Sequence, residues 1–188
     1  MDAETQRDDR QDSSLVFAGA VLAGACVAVA VGVFGRVHDP SNTTLKLFFS
    51  DTIHFKAWAA TLVVVLAIGQ LFGGLWMFGK LPGGPAPTWV GPAHRLSGTL
   101  ALLVSLPVAY LCLFSLGFNP AQAHGRRFVH SILGCAFYGA FVTKILTVRS
   151  RRMPRWAIPV VGGLLFTTLV LLWLTSSFWF FRNIGLET

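Results

Sequence analysis

Residues 126–141 read RRFVHSILGCAFYGAF. Two arginines stop abruptly, an apolar run begins, and His130 is the third residue of that run. An imidazole is ionisable, whereas the segment around it largely excludes polar side chains. The composition of the whole chain determines whether such a run lies in a protein core or in lipid.

Apolar residues dominate the 188-residue chain. Hydrophobic residues make up 54% and charged residues 12%, and the mean hydropathy is +0.63. A soluble domain of this length needs far more polar surface to cover itself, so we expect lipid as the solvent. Five windows each come close to the ~20 apolar residues that carry a helix across a hydrocarbon core. They cover about residues 15–35, 54–78, 94–116, 127–148 and 156–181.

These windows are expected to be helices, because lipid offers no water to satisfy open strand edges and the alternating pattern of a membrane barrel strand is absent. The sequence therefore predicts an all-α membrane protein, with one domain at residues 15–182 built as a five-transmembrane-helix bundle. Residues 1–14 are net acidic and lack the basic start of a cleavable signal. We expect them to form a disordered cytoplasmic tail before an uncleaved first span.

Lysine and arginine positions predict the orientation. With the N-terminus in the cytoplasm, the loop RSRRMPR at residues 149–155 falls inside, and the inner side holds more lysine and arginine than the outer side. We expect the C-terminus outside and a multi-pass protein of a bacterial plasma membrane. The formal charge of +7 then serves mainly orientation, and nucleic acid is not an expected partner.

Several function classes find no support in the sequence. It shows no paired carboxylates, no nucleophile beside a base and no glycine-rich phosphate loop, so catalysis of the soluble kind is not expected. The predicted spans contain no acidic residue, which argues against a transporter. The three cysteines form neither CxxC nor CxxCH, so covalent haem attachment is not expected.

The five histidines stand out among the polar residues. His54 lies at the outer end of the second predicted span, and His130 lies about one turn inside the outer end of the fourth. Both helices run from outside to inside, so the two imidazoles are predicted on the same side of the membrane. His94 lies at the inner end of the third span, and His38 and His124 fall in outer loops.

An imidazole at this depth has two common uses. A pair at matching depth can supply both axial ligands of a b-type haem, whereas a single imidazole can bond to a neighbouring helix or reach water. Gly134 follows His130 by four residues and Gly98 follows His94 by four, so each histidine stands above a notch on its own helix face. A flat porphyrin needs such a notch. The pattern is short, and both uses stay open.

This arrangement resembles the cytochrome b561 and ferric-reductase superfamily, in which histidines on alternate transmembrane helices ligate b haem. The resemblance covers about residues 53–181 and rests on the architecture and on His54, His94 and His130. Two-haem members of that family need a fourth histidine, and residues 156–181 contain none. The resemblance therefore implies a single haem near the outer surface, with His54 and His130 as its metal ligands.

A second resemblance concerns AHRLSG, residues 93–98. This stretch is similar to the HRxSG signature of the cytochrome b anchor subunit of succinate dehydrogenases. It implies that His94, Arg95 and Ser97 hydrogen-bond a quinone head group or haem propionates beside the notch at Gly98. That family has three spans per subunit, so only a few positions are shared. Alternatively, Arg95 extends to lipid phosphate at the inner border.

The sequence thus predicts a transmembrane b-type cytochrome that carries electrons through a haem held by His54 and His130. A membrane quinol or a redox protein is the expected partner. Lys56, Arg126 and Arg127 lie near the predicted haem edge, where they would compensate the propionates. We expect a carrier or an oxidoreductase subunit rather than an enzyme acting alone. The alternative is a cofactor-free accessory or scaffold subunit of a respiratory or transport complex.

Overall fold

The computed structural model describes residues 3–41, 44–45, 48–118 and 125–185, with side chains from residue 12 onward. Within these ranges every regular element is helical. The α-helices are Ala3–Val37 (α1), Thr52–Met77 (α2), Val90–Tyr110 (α3), Gly125–Arg149 (α4), Ala157–Trp173 (α5) and Trp179–Asn183 (α6). Two π-helical segments, Leu111–Leu116 (π1) and Leu174–Phe178 (π2), directly continue α3 and α5.

Five helices among the described residues are long and apolar enough to cross a membrane. They run Asp12–Val37, Thr52–Met77, Val90–Leu116, Gly125–Arg149 and Ala157–Asn183. The prediction of an all-α five-span protein is confirmed at this level. On α1, Leu15, Leu22 and Val29 follow one another at seven-residue intervals, and each is 64–65% exposed. A continuous apolar stripe of this kind fits a multi-pass protein in a lipid bilayer.

The first helix begins earlier than the sequence pattern predicts. Residues 1–14 were expected to be disordered, whereas α1 starts at Ala3 and continues into the first span. This stretch contains neither proline nor glycine, and Glu4 and Gln6 are good helix formers. Nucleation is the unfavourable step of helix formation, so a helix already formed by the span extends at little cost.

The helices form two pairs with α5 between them. α1 packs along α4 and α2 packs along α3, while α5 contacts both α4 and α2. In the described part of the chain α4 makes no extended contact with α2 or α3, so a slot remains between the two pairs. Phe55, Ala59 and Leu111 form a small buried cluster within the α2–α3 pair. Trp173 Nε1 in α5 donates to Thr61 Oγ1 in α2 over 2.8 Å.

A close backbone approach holds α1 against α4. A Cβ atom on Gly139 would lie 2.6 Å from the carbonyl oxygen of Gly24, and a Cβ atom on Gly24 would collide with the Gly139 carbonyl. Thr143 Oγ1 donates to the carbonyl of Ala20 in α1 over 3.3 Å. Small residues commonly let helix backbones meet in lipid, because apolar side chains gain little there by leaving the surrounding tails.

Both π-helical segments lie at the end of the bundle where α2 and α4 begin, which we call the site end. Pro107 lies four residues before π1 and lacks the N–H that would continue the hydrogen-bond ladder. In π2, Thr175 Oγ1 donates to the carbonyl of Leu171 over 2.8 Å. Ser176 Oγ donates to the carbonyl of Leu172 over 3.0 Å. Such side-chain bonds compete with the backbone ladder, and π turns within α-helices are frequent at functional sites.

Gly24→Ala should destabilise the protein, because the added methyl group meets the backbone of α4 and no rotamer change can relieve the clash. We expect a loss of roughly 1–3 kcal/mol, the range of overpacked positions. Gly19→Ala on the same helix is the matched control, since a Cβ atom there meets no atom within 4 Å. Thermal unfolding in detergent measures both variants. Equal midpoints would show that the two helices do not meet at Gly24.

Candidate ligand cavity at the site end

A cavity of about 430 Å³ occupies the slot at the site end. Residues of all six α-helices and both π segments line it, and most of their side chains are apolar. Its volume lies within the roughly 300–1,000 Å³ of protein sites that hold small molecules, in which a few polar groups converge on an apolar space. The lining polar groups include His130, Tyr138 and Ser105 together with three cationic side chains.

His130 lies on the α4 wall of the cavity, and a residue of π2 holds its ring in place by a hydrogen bond. Its Nδ1 lies 3.0 Å from Thr175 Oγ1, which in turn lies 2.8 Å from the carbonyl oxygen of Leu171. A hydroxyl has one proton, so when Thr175 donates it to a carbonyl, Oγ1 accepts from Nδ1–H of His130. We assign the Nδ1–H tautomer on this basis, which leaves the lone pair on Nε2.

Arg126, one turn before His130, is held by the same segment of the chain. Its guanidinium carbon lies 3.9 Å from the ring centroid of Trp179, a cation–π contact. The guanidinium also donates to the backbone carbonyl of Thr175. Thr175 therefore fixes His130 through its hydroxyl and Arg126 through its carbonyl.

Positive charge is concentrated at one end of the cavity. Lys56 from α2 and Arg127 from α4 line it together with Arg126. Of the described residues that line the cavity, none is aspartate or glutamate. Three cations with no carboxylate among the described lining residues create a positive potential at an apolar space, and such a potential attracts an anionic group.

The wall below His130 is open. Gly134, four residues further along α4, lines the cavity, and a Cβ atom there would meet no atom within 4 Å. The structure thus places the notch predicted for His130 in the cavity wall. Further in, Tyr138 Oη lies 3.3 Å from the carbonyl oxygen of Ser105 and links α4 to α3 across the slot.

His54 does not share this cavity with His130, and the structure does not bring the predicted ligand pair together. Its Nδ1 lies 2.9 Å from Asp51 Oδ2, and its ring packs edge-on against Phe180 with a centroid distance of 4.8 Å. Phe180 lines the cavity, whereas His54 lies outside the lining. Asp51 caps α2 by accepting from the backbone N–H groups of Ile53 and His54. The same carboxylate therefore also binds the imidazole of His54, three residues further along the chain.

A second group of predicted residues meets at the opposite end of the bundle. Gln70 Nε2 in α2 donates to the carbonyl of His94 and to Ser97 Oγ in α3. Gly98 makes room for Gln70, since a Cβ atom there would lie 3.0 Å from Oε1. Arg95 is exposed. His94, Ser97 and Gly98 are thus brought together, but none of them lines the 430 Å³ cavity.

Sequence reasoning missed Thr175 and Trp179, which hold His130 and Arg126 in place. A signal for the first was present: LTSSF at residues 174–178 is a run of three hydroxyl residues in an otherwise apolar span. That span contains no histidine, so it offers no imidazole ligand of its own. The hydroxyl groups matter because they orient a histidine that another helix supplies.

A family described as a family of unknown function (DUF6529) has a sequence model that matches residues 16–188 of the chain. The match covers most of the chain, and the protein therefore belongs to this family. It matches no curated protein and no solved structure. Because the family's function is unknown, the resemblances to b-type cytochromes and to the succinate dehydrogenase anchor stay predictions.

Asp51→Ala should destabilise the protein at neutral pH by about 1 kcal/mol, the usual cost of losing an N-cap. The backbone N–H of His54, which donates to the carboxylate, holds the pKa of Asp51 below its ordinary value of 3.8. A folded-state pKa below the unfolded value means that this stabilisation is present above about pH 4 and is lost as the pH falls through the lowered pKa.

Thermal unfolding of wild-type and Asp51→Ala protein between pH 7 and pH 3 measures this contribution. The gap between the two midpoints should narrow as the pH falls. Asp51→Asn is the matched control, because it retains a capping side chain without the charge, and its gap to Asp51→Ala should not change with pH. A wild-type gap that stays constant down to pH 3 would contradict the prediction.

Proposed function

We propose that this member of the DUF6529 family is a membrane-embedded b-type cytochrome whose haem lies in the cavity at the site end, with His130 as an axial ligand. The observation that carries the proposal is the hydrogen bonding of the His130 ring at the edge of the cavity. Its Nδ1 lies 3.0 Å from Thr175 Oγ1, and in the assigned tautomer the Nε2 lone pair belongs to a side chain that lines an apolar cavity with a cationic end. Neutral imidazole in this tautomer is the usual haem ligand.

The lining residues fit the parts of a haem. Haem b is a flat, mostly apolar ring with two carboxylates at one edge, and the cavity shows the same division. Lys56, Arg126 and Arg127 would hold the carboxylates. Gly134 leaves room for the ring along the α4 wall. His130 would ligate the iron.

The surroundings of His130 also suit a metal ligand. A ligating histidine usually donates its other ring N–H to a fixed acceptor, which sets its tautomer and orientation. Thr175 supports this role, because its hydroxyl is itself bound to the carbonyls of Leu171 and Leu172. A histidine whose only role is a hydrogen bond between helices does not require an open, cationic cavity beside its ring.

The charge of the cavity favours haem over quinone as the bound group. A quinone carries carbonyl oxygens that suit the same donors, but it is neutral and gains little from three cationic side chains. A dicarboxylate gains from each of them, since the local dielectric is low. We therefore assign quinone to the role of electron partner rather than ligand of this cavity.

A bound b-type haem supplies one-electron transfer. The chain's own residues would set how readily it is reduced, through apolar burial and through the cations beside the carboxylates. The cavity lies at one end of the bundle, so one haem there does not span the bilayer. Electrons would be exchanged with a membrane quinol or a partner protein.

Absorption spectra of histidine variants test the proposal. The chain is expressed with haem supplied, purified in detergent and measured oxidised and reduced. The wild-type protein should show a b-type spectrum and His130→Ala should lose it. His54→Ala is the matched control and should keep it, because His54 lies outside the cavity. His130→Gly should regain the spectrum with added imidazole, which separates loss of a ligand from loss of the fold.

Two results would contradict the proposal. A wild-type protein that stays colourless with haem supplied would favour the cofactor-free accessory subunit. A spectrum that survives in His130→Ala would remove the haem from His130.

We also propose that the protein lies in a bacterial plasma membrane with its N-terminus in the cytoplasm, which puts the site end outside. The basic loop at residues 149–155 supports this orientation. Alkaline phosphatase, which is active only outside the cytoplasm, should be active when fused after Thr188 and inactive when fused after Arg155. The reverse pattern of activity would invert the orientation.

A further inference from the structure

The wall of the slot that faces α4 is largely apolar. α2 contributes Ile53, Lys56, Ala60 and Val63 to the cavity. Their spacing of three and four residues defines one helix face. Only Lys56 on this face is polar, and as an ammonium group at the cationic end it has no lone pair to offer. The α2 wall therefore supplies no imidazole opposite His130.

His54 is turned away from this face and held there. It follows Ile53, so its side chain is rotated by about 100° around the helix axis from the cavity. Asp51 binds its Nδ1 over 2.9 Å, and the ring of Phe180, which is 5% exposed, lies against it. Turning His54 into the cavity would break the contact with Asp51 and displace a buried ring.

Other lining side chains with lone pairs are weaker ligands than an imidazole, because a thiol sulfur is only a weak acceptor. Cys135 and Tyr138 line the cavity from α4, the helix of His130 itself, and Tyr138 is bonded to Ser105. Cys112 lines it from π1. Among the described residues that line the cavity, His130 is the single histidine and none is methionine.

We propose that a haem in this cavity takes its second axial ligand from outside the protein, and that this ligand is a small neutral molecule of the diatomic-gas class. The inference rests on the proposed function. Neutrality follows because Lys56, Arg126 and Arg127 would already hold the haem carboxylates. The rest of the wall, Ile53, Ala60 and Val63, offers an apolar surface where a charged ligand would lose its hydration. The site would then bind a gas in addition to exchanging electrons, which a haem held by two histidines does not do.

Carbon monoxide is the probe, because it binds reduced haem wherever one axial position is free. Added to the reduced, haem-loaded protein, it should shift the Soret band. The shift should require the same carbon monoxide concentration in His54→Ala, in Cys112→Ala and in His124→Ala, the last because His124 lies outside the described residues. Equal responses mean that none of these side chains competes for the iron.

Filling the α2 wall tests the location of the gas site. Ala60→Leu narrows the cavity from the α2 wall and should raise the half-saturating carbon monoxide concentration at least about tenfold, which corresponds to about 1.4 kcal/mol. The matched control is Ala136→Leu, the same substitution at an exposed position of α4 that does not line the cavity. It should leave the concentration unchanged.

Other outcomes would overturn the external ligand or the haem itself. If carbon monoxide does not shift the Soret band of the haem-loaded wild-type protein, the inference is overturned and the proposed function stands. If one of the alanine variants then responds, the substituted residue is the second ligand. Equal affinity in Ala60→Leu and Ala136→Leu also overturns it. A chain that takes up no haem overturns the proposed function itself.

Discussion

Lipid cannot hydrogen-bond a polar group, and this constraint governs where the polar side chains of the bundle lie. Many hydroxyl groups bond to carbonyls of their own helix, as Thr147 and Thr168 do. Others find a partner on a neighbouring helix, as Thr143 does on α1 and Trp173 does on α2. His130 is satisfied at one ring nitrogen by Thr175. Its other nitrogen belongs to a side chain that lines an open space. At the site end the bundle thus leaves part of its polar chemistry beside an open cavity.

The same sequence pattern has two outcomes in this protein. Gly98 and Gly134 each follow a histidine by four residues. The space at Gly98 is taken by Gln70, whose amide joins α2 to α3. The space at Gly134 stays open because α4 makes no extended contact with α2 or α3 within the described residues. Helix pairing, rather than the local pattern, therefore decides which notch is a cavity and which is a contact.

Apolar runs were enough to predict the five spans, because their length is set by the thickness of the bilayer. Depth in the membrane could also be read from sequence, and it places His54 and His130 at the same end. The direction of each side chain could not, because it depends on helix rotation and on local partners. His54 is one residue away from the face that Ile53 presents to the cavity, and Asp51 holds it there. The role of Thr175 could not be predicted from sequence, because it arises from contact with His130, 45 residues away on another helix.

The charges at the site end determine which kind of ligand the cavity suits. Lys56, Arg126 and Arg127 surround one end of an apolar cavity that contains a single lining histidine among the described residues. The most direct test is the haem content of the purified chain after expression with haem supplied, measured as the pyridine haemochrome per polypeptide. We predict one haem per chain. None, or the two expected of a two-haem transmembrane cytochrome, would contradict it.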